Sequence, residues 1–158
     1  MIERVGRDKI NDRHLFLAQP PELDAWPDEL PEVDGEFIAF VAVDATGFGR
    51  DELERFARKL LRQHAAYFCV WGPDCERVHD VFDEVRDRDA PAPVTTTWHA
   101  DDTLDQAVWF ALYTACPHDQ FIETCTATVF VVVGSNEWAE QVRRALADPE
   151  ALTARVAD

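Results

Sequence analysis

A short apolar run followed by a helical pattern occurs four times in the chain after residue 36. The four apolar runs cover residues 37–43, 67–71, 94–99 and 128–133. Near-continuous apolar runs are typical of strands buried on both faces, and strands that alternate with helices favour a parallel sheet. The chain is therefore predicted to fold as a three-layer, Rossmann-like α/β domain. Its sheet is expected to have four strands, mostly parallel, with helices on both faces.

The polarity of the runs predicts the order of the strands. The third run, residues 94–99, is half polar and is expected at an edge of the sheet, whereas the first and fourth runs are expected at its centre. This arrangement gives the strand order 3-2-1-4. The short apolar segment at residues 15–18 would add a strand beside the fourth.

Capping patterns indicate where helices begin and end. Thr103 and Gln106 have the spacing of a capping box, and Asp51 with Glu54 resembles one. Pro149 is expected to end the last of the four helices.

The first 36 residues are predicted to form an extended, proline-rich acidic N-terminal arm, and residues 37–158 a single α/β domain. Residues 20–36 contain four prolines, seven acidic residues and no basic residue. Proline fixes φ and removes a hydrogen-bond donor, so this stretch is neither a regular helix nor a central strand. Trp26 and Leu30 are expected to hold the arm against the domain.

The charge of the chain excludes some classes of partner. It has 15 Lys and Arg against 31 Asp and Glu, a formal net charge of −16 at pH 7, so nucleic acid is disfavoured as a partner. No apolar run approaches the roughly 20 residues that span a bilayer, and no secretory signal is visible. We expect a cytoplasmic protein that does not contact a membrane.

The four cysteines are too sparse for a disulfide framework and are expected to be free thiols. Cys75 and His79 lie four residues apart on one predicted helix, whereas Cys116 and Cys125 flank the loop before the fourth strand. These two groups are expected at opposite edges of the sheet, so we predict neither a metal nor a cofactor. Cys75, near a helix N-terminus, is the alternative candidate for a catalytic nucleophile.

The candidate catalytic residues follow the first and third strands, at the carboxyl edge of the sheet, where ligands collect in open α/β folds. They are Asp44, His99, Asp101 and Asp102. The carboxylates could hold Mg²⁺ for a phosphate substrate, but the same residue types are favoured as helix caps and in turns. A complete phosphate loop and a serine nucleophile motif are both missing from the sequence.

Two groups of residues are candidates for partner binding. The first is the set of acidic residues in the arm, Glu22, Asp24, Asp28, Glu29, Glu32, Asp34 and Glu36. The second is the apolar outer face of the third helix, formed by Trp109, Phe110 and Tyr113. Either the arm covers these aromatic residues, or a second subunit or another partner does so, and a homodimer is one such arrangement.

The segments 95–102, 104–110 and 134–138, together with Cys125, resemble a small bacterial family, an uncharacterised domain of unknown function. The resemblance extends over about residues 37–147 and implies no activity. The charge and the incomplete catalytic set favour a non-catalytic acidic module that binds a basic protein, as immunity and inhibitor proteins do. The alternative hypothesis is a metal-dependent or small-ligand enzyme that uses the carboxyl edge of the sheet.

Overall fold

Six strands and five helices make up the part of the chain that the computed structural model describes, residues 2–89 and 93–157. The strands are β1 Ile2–Asp8, β2 Arg13–Ala18, β3 Glu36–Ala42, β4 Ala65–Trp71, β5 Thr95–Trp98 and β6 Cys125–Val132. The helices are α1 Arg50–Arg62, α2 Cys75–Asp89, α3 Leu104–Tyr113, α4 Asn136–Ala147 and α5 Pro149–Ala157. Within the described ranges, no helix combines the length and apolar composition needed to cross a membrane.

All six strands belong to one mixed sheet with the order β1-β2-β6-β3-β4-β5. The pairs β2–β6, β6–β3, β3–β4 and β4–β5 are parallel, whereas β1 and β2 are antiparallel. The four strands predicted from the apolar runs therefore lie in the predicted order, and residues 15–18 belong to a strand beside the fourth. The prediction of a four-stranded sheet is wrong, because β1 and β2 extend it to six.

The N-terminal residues form a hairpin within the sheet. The prediction of an extended arm over residues 1–36 is wrong for residues 2–18, which are β1 and β2. β1 lies at the edge of the sheet and carries charged residues such as Glu3, Arg4 and Arg7. Because an edge strand has little apolar surface to bury, it lacks the apolar run by which the inner strands are recognised.

Residues 20–36, here called the acidic segment, connect β2 to β3, contain one 3₁₀ turn at Leu23–Ala25 and lie against α1. Leu23, Trp26 and Leu30 are buried, as the sequence predicted for the last two, and the Trp26 ring packs edge-on against Phe56 of α1 with centroids 6.2 Å apart. Lys59 Nζ donates to the Trp26 carbonyl at 2.7 Å. The segment is therefore an integral part of one face of the fold.

The sheet has a hydrophobic core on each face. α1, α2 and the acidic segment cover the face to which Ala39 and Val41 of β3 point. α3, α4 and α5 cover the other face, to which Phe40 and Ala42 point. Helices thus lie on both faces, as predicted, and the central strands are buried on both sides.

α4 ends at Ala147, just before Pro149 as predicted, but Pro149 also begins a fifth helix, α5, which was not expected. Proline is tolerated in the first turn of a helix, where the amide proton has no partner within the helix. α5 packs against α3, and Trp109 Nε1 donates to Thr153 Oγ1 at 3.2 Å. Trp109, Phe110 and Tyr113 are half-buried in this core. Since the acidic segment lies on the opposite face, it does not cover them.

Candidate functional site

A cavity of about 450 Å³ lies at the carboxyl ends of β4 and β5. Its walls include Trp71, Cys75, Glu76, His99 and Asp102. The turn after β4 brings α2 to this edge and contains Gly72, whose φ is +122°. Three of the residues singled out from the sequence, Cys75, His99 and Asp102, therefore border one depression.

His99 is held in a chain of hydrogen bonds. Its Nδ1 lies 2.9 Å from Asp102 Oδ2 and its Nε2 lies 3.0 Å from Thr97 Oγ1. An ionised carboxylate can only accept, so in the neutral imidazole Nδ1 carries the proton and Nε2 accepts from the Thr97 hydroxyl. The imidazole also packs on Phe110 with centroids 4.5 Å apart. The order Asp–His–Thr matches that of a general base with its orienting carboxylate.

The other two predicted catalytic residues do not join this chain. Asp44 follows β3, and its carboxylate accepts from Thr46 N at 3.1 Å and from Thr46 Oγ1 at 2.6 Å. These hydrogen bonds hold the pKa of Asp44 below its usual value, and the bond from the hydroxyl has the largest effect. Asp101 is exposed in the turn after β5. Asp44 therefore acts as a local cap, which agrees with the interpretation that these residue types are favoured as helix caps and in turns.

The arrangement of these carboxylates does not form a metal site. Throughout residues 2–89 and 93–157, no three His, Cys, Asp or Glu side chains are grouped so that they could hold a metal ion. Cys75 and Cys125 belong to the cores on opposite faces of the sheet. The residues Cys75, His79, Cys116 and Cys125, which would have to meet to form one metal site, are therefore not brought together.

The thiol of Cys75 is not activated. Burial raises the pKa of Cys75, although backbone amides, among them that of His99, partly oppose the shift. A higher pKa leaves less thiolate at neutral pH, and the thiolate is the nucleophilic form. All four cysteines are free, and Cys116 is exposed whereas Cys69, Cys75 and Cys125 are buried.

Strand β5 carries a second hydrogen-bond network on its other face. Thr96 Oγ1 donates to Asp83 Oδ1 at 2.6 Å and lies 3.0 Å from His79 Nε2, both on α2. Neither Thr96 nor Thr97 is among the candidate residues predicted from the sequence. Thr96 and Thr97 are neighbours in a strand, and neighbouring residues of a strand point to opposite faces of the sheet. The run of threonines could therefore have indicated a hydroxyl group on each face.

The acidic segment presents most of its carboxylates to solvent. Arg55 pairs with Asp24 at 2.9 Å and Lys59 with Asp28 at 3.5 Å, and the hydrogen bond from Arg55 lowers the pKa of Asp24. Within the described part of the chain the other five carboxylates form no ion pair, those of Glu22, Glu29, Glu32, Asp34 and Glu36. The helix beside the segment therefore neutralises only part of its charge.

The far end of the acidic segment borders a cavity of about 330 Å³. Glu32 and Asp34 line it from the segment, and Arg4 and His14 line it from β1 and β2. The Nδ1 atom of His14 is buried and has no hydrogen-bond partner among the described residues. This end of the segment thus combines exposed carboxylates with a depression.

The family model described as a domain of unknown function (DUF7684) matches residues 13–149. The matched range begins at the first residue of β2 and ends at the first residue of α5. No curated protein matches the chain significantly.

Proposed function

The chain belongs to the family of domains of unknown function DUF7684, and we propose that it is a non-catalytic module that binds a basic protein. The observation that carries this proposal is the row of exposed carboxylates on a segment fixed by buried side chains. Leu23, Trp26 and Leu30 anchor the segment, so little conformational entropy is lost when a partner aligns with it.

Two polar residues in loops at the carboxyl edge of the sheet, Asp44 and Ser135, support a binding function. Asp44 and Ser135 follow β3 and β6, the adjacent central strands, and both use their side chains as caps. Asp44 accepts from Thr46, and Ser135 Oγ accepts from Trp138 N at 3.1 Å. Their hydrogen-bonding capacity is thus used within the loops that carry them. The Cys75 thiol is buried and has a raised pKa.

The proposed contact is electrostatic and therefore depends on salt. The Debye length falls from about 30 Å at 0.01 M to about 8 Å at 0.15 M ionic strength. Association with a basic partner is expected to slow by about tenfold or more over this range, while dissociation changes less. The acidic segment and the aromatic residues of α3 lie on opposite faces of the sheet, so the proposal rests on the acidic segment alone.

Neutralisation of the segment tests the proposal. Glu29→Gln, Glu32→Gln and Asp34→Asn are combined in one variant, and Glu123→Gln, Glu137→Gln and Glu150→Gln, also exposed, in a control of equal charge. Association with a panel of purified basic proteins and Lys- and Arg-rich peptides is measured by surface plasmon resonance. We expect the first variant to slow association by about tenfold relative to the control. Equal slowing by both variants would mean that net charge alone acts, and the proposal would be wrong.

The Asp102–His99–Thr97 chain favours a second candidate function, a small-ligand enzyme with His99 as general base. If this function holds, hydrolysis of a panel of nitrophenyl esters disappears with Thr97→Val or His99→Gln. Thr96→Val, which alters the network on the opposite face of β5, is the matched control. Activity that survives both Thr97→Val and His99→Gln would exclude this candidate.

A further inference from the structure

We propose that the open edge of β5 binds an extended, basic segment of a partner protein as an additional strand of the sheet. This inference shares with the proposed function only the basic character of the partner. The second contact would lie at the edge of the sheet formed by β5, and the hairpin of β1 and β2 forms the other edge.

The backbone of β5 has hydrogen-bonding groups that point away from the sheet. β5 is the last strand in the sheet order and pairs with β4. His99 N donates to the Val70 carbonyl at 3.0 Å, and the direction of backbone amides alternates along a strand. Thr95 and Thr97 therefore face β4 like His99, whereas Thr96 and Trp98 direct their N–H and C=O groups outward. An added strand finds two donors and two acceptors there.

The two edges of the sheet differ in how they are protected against pairing with further strands. β1 carries the charged residues Glu3, Arg4 and Arg7 and has a register irregularity between Arg4 and Gly6. Charges and irregularities of this kind are typical of edges that avoid further pairing. β5 consists of three threonines and a tryptophan. Its side chains carry no charge that would oppose an incoming strand.

Trp98 provides an apolar anchor beside this edge. Its side chain is half-exposed, and its ring packs on His79 of α2 with centroids 4.5 Å apart. Thr96 is fixed by Asp83 and by Arg86, whose guanidinium also donates to the Val94 carbonyl at 3.1 Å. The edge is therefore held rigid before a partner arrives, and partly exposed tryptophans are frequent centres of binding energy.

The charge around β5 indicates the chemistry of the occupant. Acidic residues flank the strand on α2 and follow it in the next turn, namely Asp80, Asp83, Asp87, Asp101 and Asp102. Arg86 pairs with Asp83 and Asp87 and offsets one of these charges. A basic segment complements this surface, whereas a second copy of the chain would bring the same carboxylates into contact.

A designed peptide tests the edge directly. The probe is an eight-residue peptide that alternates Val or Thr with Arg or Lys, and its analogue is N-methylated at every internal residue, so that neither of its edges has backbone donors. Both have the same charge, but the analogue cannot form the ladder hydrogen bonds. We expect the parent peptide to bind in isothermal titration calorimetry, and N-methylation to weaken binding by about tenfold or more. Equal affinities would overturn the edge proposal.

Variants then locate the contact. Trp98→Ala, and Asp80→Asn combined with Asp87→Asn, are expected to weaken binding of the parent peptide severalfold. The matched controls are Ile122→Ala, which removes another exposed apolar side chain, and Glu29→Gln with Glu32→Gln in the acidic segment. Binding that responds only to the acidic-segment variant would overturn the edge proposal and leave the proposed function standing. No binding of any basic peptide at low salt would overturn both, and a native dimer dissociated by Trp98→Ala would overturn the edge proposal alone.

Discussion

The indole Nε1 of Trp26 donates a hydrogen bond to Oε1 of Gln63 at 2.9 Å, and Nε2 of the same glutamine donates to the Pro27 carbonyl at 2.7 Å. Gln63 is the C-terminal cap of α1, so one amide side chain joins the end of that helix to the acidic segment. The segment that carries the proposed binding site is thereby part of the folding unit, and its position depends on Trp26.

Trp26→Ala is expected to reduce the free energy of unfolding by about 3–5 kcal/mol, because a fully buried tryptophan leaves a cavity and Gln63 loses its donor. The measurement is urea denaturation followed by circular dichroism. Trp98→Ala is the control, since Trp98 is half-exposed, and should change stability by only about 0.5 kcal/mol. Similar losses in the two variants would show that the segment is not anchored as described.

Gly72→Ala is expected to destabilise the protein by at least about 3 kcal/mol. Gly72 has a φ of +122°, and a Cβ added there would lie 2.1 Å from the Val43 carbonyl oxygen. That oxygen belongs to the backbone at the end of β3, where Val43 N donates to the Trp71 carbonyl at 3.0 Å. The carbonyl therefore cannot move away without loss of this contact between strands.

Gly47→Ala is the control for Gly72→Ala, and the stability of both variants is measured by thermal denaturation. A Cβ at Gly47 meets no atom within 4 Å, and its φ lies outside the left-handed region. The Gly47→Ala variant is expected to be as stable as the unaltered protein or more stable by a few tenths of a kcal/mol, because alanine restricts the unfolded chain. A Gly72→Ala variant as stable as Gly47→Ala would contradict the geometry of the turn.

Much of the sheet could be predicted because its inner strands are buried on both faces and appear as apolar runs. β3 and β6 are the clearest examples. β1 could not be recognised in this way, since a solvent-facing edge strand needs no apolar run. Pro149 correctly predicted the end of α4, but α5 could not be predicted from it, because proline is compatible both with the end of one helix and with the start of the next.

His99 and Asp102 of the candidate site were predictable from their position after a strand, whereas the hydrogen bond between them was not. Contacts were predictable only at helix caps, where a spacing pattern implies them. The spacing of Thr103 and Gln106 predicted a capping box, and both of its hydrogen bonds are present. Asp51 and Glu54 have the same spacing, but α1 is capped two residues earlier, by Gly49 with Glu52. Because glycine has no side chain, α1 has only the half of a capping box in which Glu52 accepts from the Gly49 amide.

Thiol labelling is expected to separate Cys116 from the other cysteines. Cys116 is exposed, whereas Cys69, Cys75 and Cys125 are buried and burial raises the pKa of all three thiols. A chromogenic disulfide reagent at pH 7.5 should modify one thiol per native chain, and all four after denaturation. Cys116→Ser should abolish the native reaction. Rapid native labelling of this variant would show that a buried thiol is more accessible than the structure indicates.

The carboxyl group of Asp44 is expected to titrate below its ordinary pKa of 3.8, and Thr46 is the cause. Thr46→Val removes the hydroxyl donor and should raise the pKa of Asp44 towards 3.8, whereas Thr46→Ser retains the donor and should keep it low. A lower pKa in the folded state stabilises the protein above the pKa of the unfolded chain, and this contribution is lost as the pH falls through the folded-state value. NMR titration of the Asp44 carboxyl carbon measures the shift, with Thr153→Val on the opposite face of the sheet as control. An Asp44 pKa that is the same in Thr46→Val and in the unaltered protein would show that the Thr46 hydroxyl does not donate to this carboxylate.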